Sequence, residues 1–127
     1  MWLPSLRAAA LSAAGWLALT ASEGKRKTVY LDIAGIPTVC MGTTEGLTRS
    51  HVGKRLSKEE CSLRDGRAVK AAEDAIKSTV RVPLTQDQFD SLVSFVYNIG
   101  EPRWRTSTAL RVLNLGDYKG TAREIRR

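Results

Sequence analysis

Three residues near the start of the chain have the types and spacing for acid–base hydrolysis. Glu23 is followed after eight residues by Asp32, and Asp32 after five more by Thr38. Cleavage of a glycosidic bond needs a protonated carboxylic acid that donates to the leaving oxygen. In the inverting version a second carboxylate activates a water, the two carboxyls standing about 6.5–9.5 Å apart. Glu23 closes an apolar stretch whose packing would raise its pKa and keep it protonated. Asp32 ends a β-prone run at a turn, where solvent and backbone amides favour the ionised form. Thr38 opens the return run, and its hydroxyl can help to hold the water. A Glu, an Asp and a Thr at such short range occur in many soluble chains, so the spacing alone does not select this chemistry.

Other chemistries find little support. There are two cysteines, Cys40 and Cys61, no Cys-x-x-Cys, and one histidine, His51. That is too few ligands for a zinc site, and no metal or organic cofactor is expected. Two readings of the cysteines stand side by side: a Cys40–Cys61 disulfide in an oxidising compartment, or two half-buried free thiols.

The elements that must position these groups follow from periodicity and punctuation. Thr28–Asp32 and Thr38–Met41 are short runs rich in branched and aromatic residues, joined by Ile33–Pro37, and they predict a small hairpin. Gly42–Val52 is polar and reads as loop or a short further strand. Ser57 with Glu60 has the spacing of a capping box. Cys61, Ala68, Val69, Ala72, Ile76 and Val80 then recur at helical spacing until Pro83, with Gly66 as a weak point. Thr85 with Gln88 is a second box, followed by Phe89, Leu92, Val93 and Val96, the strongest helical pattern in the chain. Gly100-Glu101-Pro102 ends it. Ser107–Leu115 predicts a short helix closed by Gly116, and Asp117 caps one more that runs to Arg127. The fold class expected is α+β: an N-terminal helix, a small β-hairpin lobe, then a mainly helical lobe.

The chain has 127 residues, 43% hydrophobic and 26% charged, enough to bury a core and unlike a disordered tail. Its formal net charge of +7 favours a polyanionic partner: nucleic acid, an anionic membrane or the acidic bacterial envelope. The interleaved aromatic and basic residues of a single-strand binder are missing, as is the isolated basic stripe of a groove reader. No nucleic-acid partner is expected.

Residues 1–22 form a segment apart. Arg7 precedes an apolar run, residues 8–19, rich in Ala and Gly. A positive residue before a short apolar stretch is the pattern of a secretory signal or weak anchor, although the run falls short of the roughly 20 apolar residues of a firm transmembrane helix. Alternatively Leu11, Trp16, Ala18 and Leu19 form the apolar side of an ordinary first helix. Both readings stand.

Glu23-Gly24-Lys25-Arg26, Tyr30-Leu31-Asp32 and Gly35-Ile36-Pro37-Thr38-Val39-Cys40 together resemble the opening motif of the phage-type lysozymes, glycoside hydrolase family 24. The downstream runs Ser94-Phe95-Val96-Tyr97-Asn98-Ile99-Gly100 and Thr106-Ser107-Thr108-Ala109-Leu110-Arg111 are similar to the long core helix and following turn of the same family, especially its lambdoid endolysins. The resemblance implies a lysozyme-like fold over residues 23–127 with one long core helix. It implies a muramidase that hydrolyses the β-1,4 bond between N-acetylmuramic acid and N-acetylglucosamine during host lysis. Glu23 would be the general acid, with Asp32 and Thr38 positioning water. Tyr97 and Asn98 would contact the substrate, though Asn98 is equally placed to cap its own helix. Residues 1–22 resemble signal-anchor-release elements, which implies synthesis in the host cytoplasm, transient inner-membrane association and action in the periplasm and cell wall, as a monomer.

Two departures from the family pattern stand out. Many relatives carry Gly-His where this chain has Gly42-Thr43, which lowers the stability expected. The chain also stops at Arg126-Arg127, where relatives continue into further helices. On that reading Phe89, Leu92, Val96 and Leu113 would be left wet, at a cost of about 1.5–3 kcal/mol each against a total stability of roughly 5–15 kcal/mol. The competing expectation is therefore a marginally stable, inactive prophage remnant that acts at most as a basic envelope-binding module.

Overall fold

The computed structural model describes residues 1–126; Arg127, to which the last predicted helix extends, lies outside them. The described residues contain six α-helices and one two-stranded antiparallel sheet, the α+β class expected. They divide into two compact units, residues 16–68 and residues 1–15 together with 69–126.

The unit Trp16–Ala68 carries the greater part of helix α1 (Ala13–Glu23), the hairpin β1 (Arg26–Leu31) and β2 (Pro37–Cys40), a 3-10 turn at Arg49–His51, and the start of α2 (Lys58–Thr79). The hairpin pairs Tyr30 with Thr38 and Leu31 with Pro37. Its limits differ from the sequence reading for local reasons. Asp32 leaves the strand because its carboxylate takes up the amides of the turn that follows. Met41 leaves β2 because Cys40 adopts a left-handed φ of 60° and turns the chain. Pro37 is tolerated as the first strand residue, where a missing donor costs least. The other edge of β1 is covered: Val29 donates to the Lys54 carbonyl, and Gly53 and Leu56 donate back to Val29 and Lys27.

Val29, Val39, Cys40, Leu56 and Cys61 form the core of this unit, with Leu47 packed against them. Cys40 and Cys61 are disulfide-bonded, their Cα atoms 5.4 Å apart, which decides between the two readings of the thiols. The Ser57–Glu60 box opens α2 as expected: Ser57 N–H donates to the Glu60 carboxylate and Glu60 N–H to the Ser57 hydroxyl. The helix runs through Gly66 without a break and at 22 residues is longer than α3.

The second unit holds the remainder of α2, then α3 (Gln86–Ile99), α4 (Glu101–Arg105), α5 (Thr108–Asn114) and α6 (Tyr118–Ile125). Thr85 and Gln88 cap α3 reciprocally, Ser107 accepts from Leu110 N–H, and Asp117 from Gly120 N–H. Gly100, at φ 85°, ends α3 as the sequence implied, but Pro102 then sits in the first turn of α4. Proline there gives up only an amide that lacks an intrahelical partner, so Gly-Glu-Pro separates two helices and does not open a loop. Trp104 of α4 is fully buried, its indole N–H donating to Thr79 Oγ1 at 2.9 Å.

Phe89, Leu92, Val96 and Leu113 are all buried, against the expectation that they would be wet. The cost assigned to their exposure therefore does not arise. Residues before α1 are laid on this unit by Leu3 N–H to the Leu84 carbonyl, Leu11 N–H to the Glu73 carboxylate and Ser12 to Asp90. Leu11 and Leu19 are buried, Trp16 is half-buried, Ala18 is exposed, and Leu17 is 74% exposed. Among the described residues no helix is long and apolar enough to cross a membrane.

Candidate active site

Glu23 is the last residue of α1, and Gly24 closes the helix at φ 75° with its amide on the Thr20 carbonyl. The side chain is half-buried, and loss of solvent raises the carboxyl above the ordinary glutamate value, in the direction a proton donor requires. A Cβ built on Gly42 would stand 3.7 Å from Glu23 Oε2. The carboxyl thus rests over a backbone position without a side chain, in ordinary van der Waals range.

Asp32 follows β1 directly. Its Oδ1 accepts from Ala34 N–H at 2.9 Å and Ile36 N–H at 2.8 Å, while its backbone exchanges hydrogen bonds with Ile36 and Gly35. This is an Asx-type turn, which fixes the carboxylate plane from within the loop. Thr38 is buried at the second position of β2, and its hydroxyl donates to the Ile36 carbonyl at 2.8 Å. The N–H of Ile36 is held by Asp32 and its C=O by Thr38, so one residue sets both side chains. With its hydrogen spent on Ile36, Thr38 Oγ1 offers only lone pairs to any further partner. Glu23, Asp32 and Thr38 all belong to the unit Trp16–Ala68.

Tyr97 and Asn98 belong to the other unit, near the C-terminus of α3, where Tyr97 is half-buried and Asn98 exposed. The end of that helix is closed by the Gly100 amide on the Val96 carbonyl.

The sequence reading missed the groups behind the turn at residues 40–43. Asp65 on α2 is 2% exposed, accepts from Met41 N–H at 3.1 Å through Oδ1, and has Lys25 Nζ 3.8 Å from Oδ2. Burial raises its carboxyl above the ordinary value, opposed by the Met41 amide, Lys25 and Arg64. Arg64 donates to Thr43 Oγ1 and to the Glu45 carbonyl, while Thr43 donates to the Val39 carbonyl. Thr43 is thus buried and engaged on both sides. A signal for Asp65 was there: it stands four residues after Cys61 and four before Val69, inside the apolar stripe of α2. A charge at such a position is costly without partners.

Comparison with known proteins follows the same lines. The family model described as Phage lysozyme matches residues 20–127. The endolysin of Salmonella phage P22 is 40% identical over 114 residues, covering 88% of this chain and 78% of that protein. The SAR-endolysin of Pseudomonas phage phiKMV is 39% identical, covering 87% of this chain and 66% of that protein. Among solved structures, the muramidase domain of SpmX from Asticaccaulis excentricus superposes with a TM-score of 0.79 at 30% identity, over 90% of this chain and 76% of that one.

Proposed function

The chain belongs to the phage lysozyme family, and on that premise we propose that Glu23, Asp32 and Thr38 are the groups with which it hydrolyses peptidoglycan as an endolysin. The observation that carries this reading is the division between the acids. Glu23 is half-buried and biased toward its protonated form, whereas Asp32 is fixed as a hydrogen-bond acceptor by two turn amides.

The proton of Glu23 passes to the bridging oxygen between N-acetylmuramic acid and N-acetylglucosamine as the bond from that oxygen to the muramic C1 breaks. A water adds to the opposite face of C1 and gives one proton to Asp32. Thr38 Oγ1, an acceptor only, takes a hydrogen bond from the other water hydrogen and so sets the water's orientation. Return of a proton to Glu23 completes the cycle with inversion at C1. Tyr97 and Asn98 are the substrate contacts on α3.

The test is clearing of outer-membrane-permeabilised Gram-negative cells by the parent and by Glu23→Gln. A positioned general acid contributes about 10²–10⁴-fold, and the variant is expected to lose activity within that range. Equal clearing by both proteins would exclude Glu23 as the acid. The first-formed anomer, read by NMR, is expected to be inverted.

We further propose that the site of action is the cell wall beyond the host's inner membrane, with transient membrane association through residues 1–22. The support is the SAR-endolysin name of relatives and the exposure of Met1, Trp2 and Leu17. Membrane fractionation of the parent against Leu17→Glu tests this, with a loss of the membrane-bound pool expected.

A further inference from the structure

The three-residue tip Cys40-Met41-Gly42 takes its shape from partners elsewhere in the chain. Cys40 and Gly42 both have left-handed φ, 60° and 85°. Val39 and Thr43 close the loop beneath the tip by exchanging backbone hydrogen bonds at 2.9 and 2.8 Å. The disulfide to Cys61 fixes Cys40 but leaves the orientation of the next peptide open, and Gly42 has no side chain to restrain it. The Met41 side chain is buried, with its Sδ accepting from Thr20 Oγ1, and the Met41 amide is held by Asp65 Oδ1. Asp65 Oδ2 accepts no hydrogen bond and faces Lys25 at 3.8 Å. Lys25 lies two residues beyond Glu23, and Gly42 lies under the Glu23 carboxyl. One buried carboxylate thus holds the chain on both sides of the proposed acid.

We infer that Asp65 is a positioning residue for Glu23: through the Met41 amide it fixes the Cys40–Gly42 tip as the seat of the Glu23 carboxyl. This rests on the reading of Glu23 as the general acid. Three handles on neighbouring turns of α2 converge on the tip and its base, namely the disulfide at Cys61, Arg64 on Thr43, and Asp65 on Met41. The last acts on the Cys40–Met41 peptide, one residue before Gly42. The charged groups that act on Asp65 are Lys25, from the α1–β1 link, and Arg64 on α2 itself. Without the handle, the tip relaxes, the Glu23 carboxyl gains solvent, and the proton donor loses both its placement and its raised proton affinity.

The test compares the full chain with Asp65→Ala, Asp65→Asn and a control, Val29→Ala, which removes volume from the core that includes Cys40 and leaves the Asp65–Met41 hydrogen bond in place. Activity on purified peptidoglycan is measured well below each variant's Tm. Misplacing a catalytic group by about 1 Å costs on the order of 100-fold. Asp65→Ala is therefore expected to lose kcat by about 10- to 100-fold with KM within about twofold, and its alkaline activity limb is expected at lower pH. Asp65→Asn keeps the acceptor for Met41, and retention of kcat within about threefold and of the limb is expected. Val29→Ala is expected to lower Tm and leave kcat and the limb in place. The inference is overturned if Asp65→Ala keeps its kcat and pH limb, if Asp65→Asn falls as far as Asp65→Ala, or if Val29→Ala loses kcat as much at equal loss of Tm. Glu23→Gln, run alongside, separates the two readings. If that variant remains active the general-acid assignment fails, whatever Asp65 does.

Discussion

Removing the Cys40–Cys61 disulfide gives a loss that can be worked out from the chain. The bond closes a sequence separation of 21 residues. The loop-closure entropy taken from the unfolded ensemble at that length corresponds to about 3 kcal/mol at 25 °C. With a urea slope of about 1–3 kcal/mol per molar, the midpoint should fall by about 1–3 M. Cys61 is fully buried, so reductant must be applied under unfolding conditions and the reduced chain then refolded for the melt. A second comparison isolates the backbone. Cys40 holds a left-handed φ that costs an L-residue about 1–2 kcal/mol, part of which a glycine gives back through its freer unfolded state. Cys40→Gly with Cys61→Ala should thus be about 0.5–1 kcal/mol more stable than Cys40→Ala with Cys61→Ala. A reduced protein within about 1 kcal/mol of the oxidised one would refute the closure argument. A glycine variant no more stable than the alanine one would refute the strain argument.

Further outcomes follow from the same structure. Activity should fall as pH rises through the raised Glu23 value, because the acid works only when protonated; a pH profile of kcat is expected to place that limb above the ordinary glutamate range. Asp65 is likewise raised, so the native state binds its proton more tightly than the unfolded chain does. Its contribution to stability is present at acid pH and lost as pH rises through the raised value, and Asp65→Asn should remove that part of the pH dependence in urea melts. Thr38→Val keeps the shape of the side chain but removes the oxygen proposed to accept from water. A loss on the order of 100-fold in kcat is expected, with Thr38→Ser recovering most of it. Trp104→Phe leaves Thr79 Oγ1 without its indole donor and should cost about 1–3 kcal/mol in a thermal or urea melt.

Much of the local structure was legible because it is encoded within a few residues. The boxes Ser57–Glu60 and Thr85–Gln88, the cap at Asp117, and the turn between Asp32 and Thr38 are short-range hydrogen-bond patterns. The placing of Glu23 at a helix end and of Asp32 and Thr38 on either side of one turn could be read for the same reason. What escaped depends on partners distant in the chain. Asp65 is explained by distant partners, the Met41 amide 24 residues away and the Lys25 ammonium. The burial of Phe89 and Leu113 depends on what packs on their faces, which helical periodicity does not identify. Whether Cys40 and Cys61 meet is decided by the fold that brings α2 under β2. The short helix α4 was lost because a Gly-x-Pro sequence both ends a helix and begins one.

The discontinuity of one unit sets an order of events during synthesis. Residues 16–68 are contiguous and can close on themselves as they leave the ribosome. Residues 1–15 have to wait for chain not yet made: Ser12 hydrogen-bonds Asp90, 78 residues later, and Leu11 meets Glu73, 62 residues later. At about 5–20 residues per second, Ser12 emerges roughly 4–16 s before Asp90. For those seconds the apolar stretch at the front lacks its native partners and is open to whatever apolar surface it meets first. On the membrane association proposed above, the membrane and the protein's own second unit would compete for one segment, and the speed of translation would set how long that contest lasts.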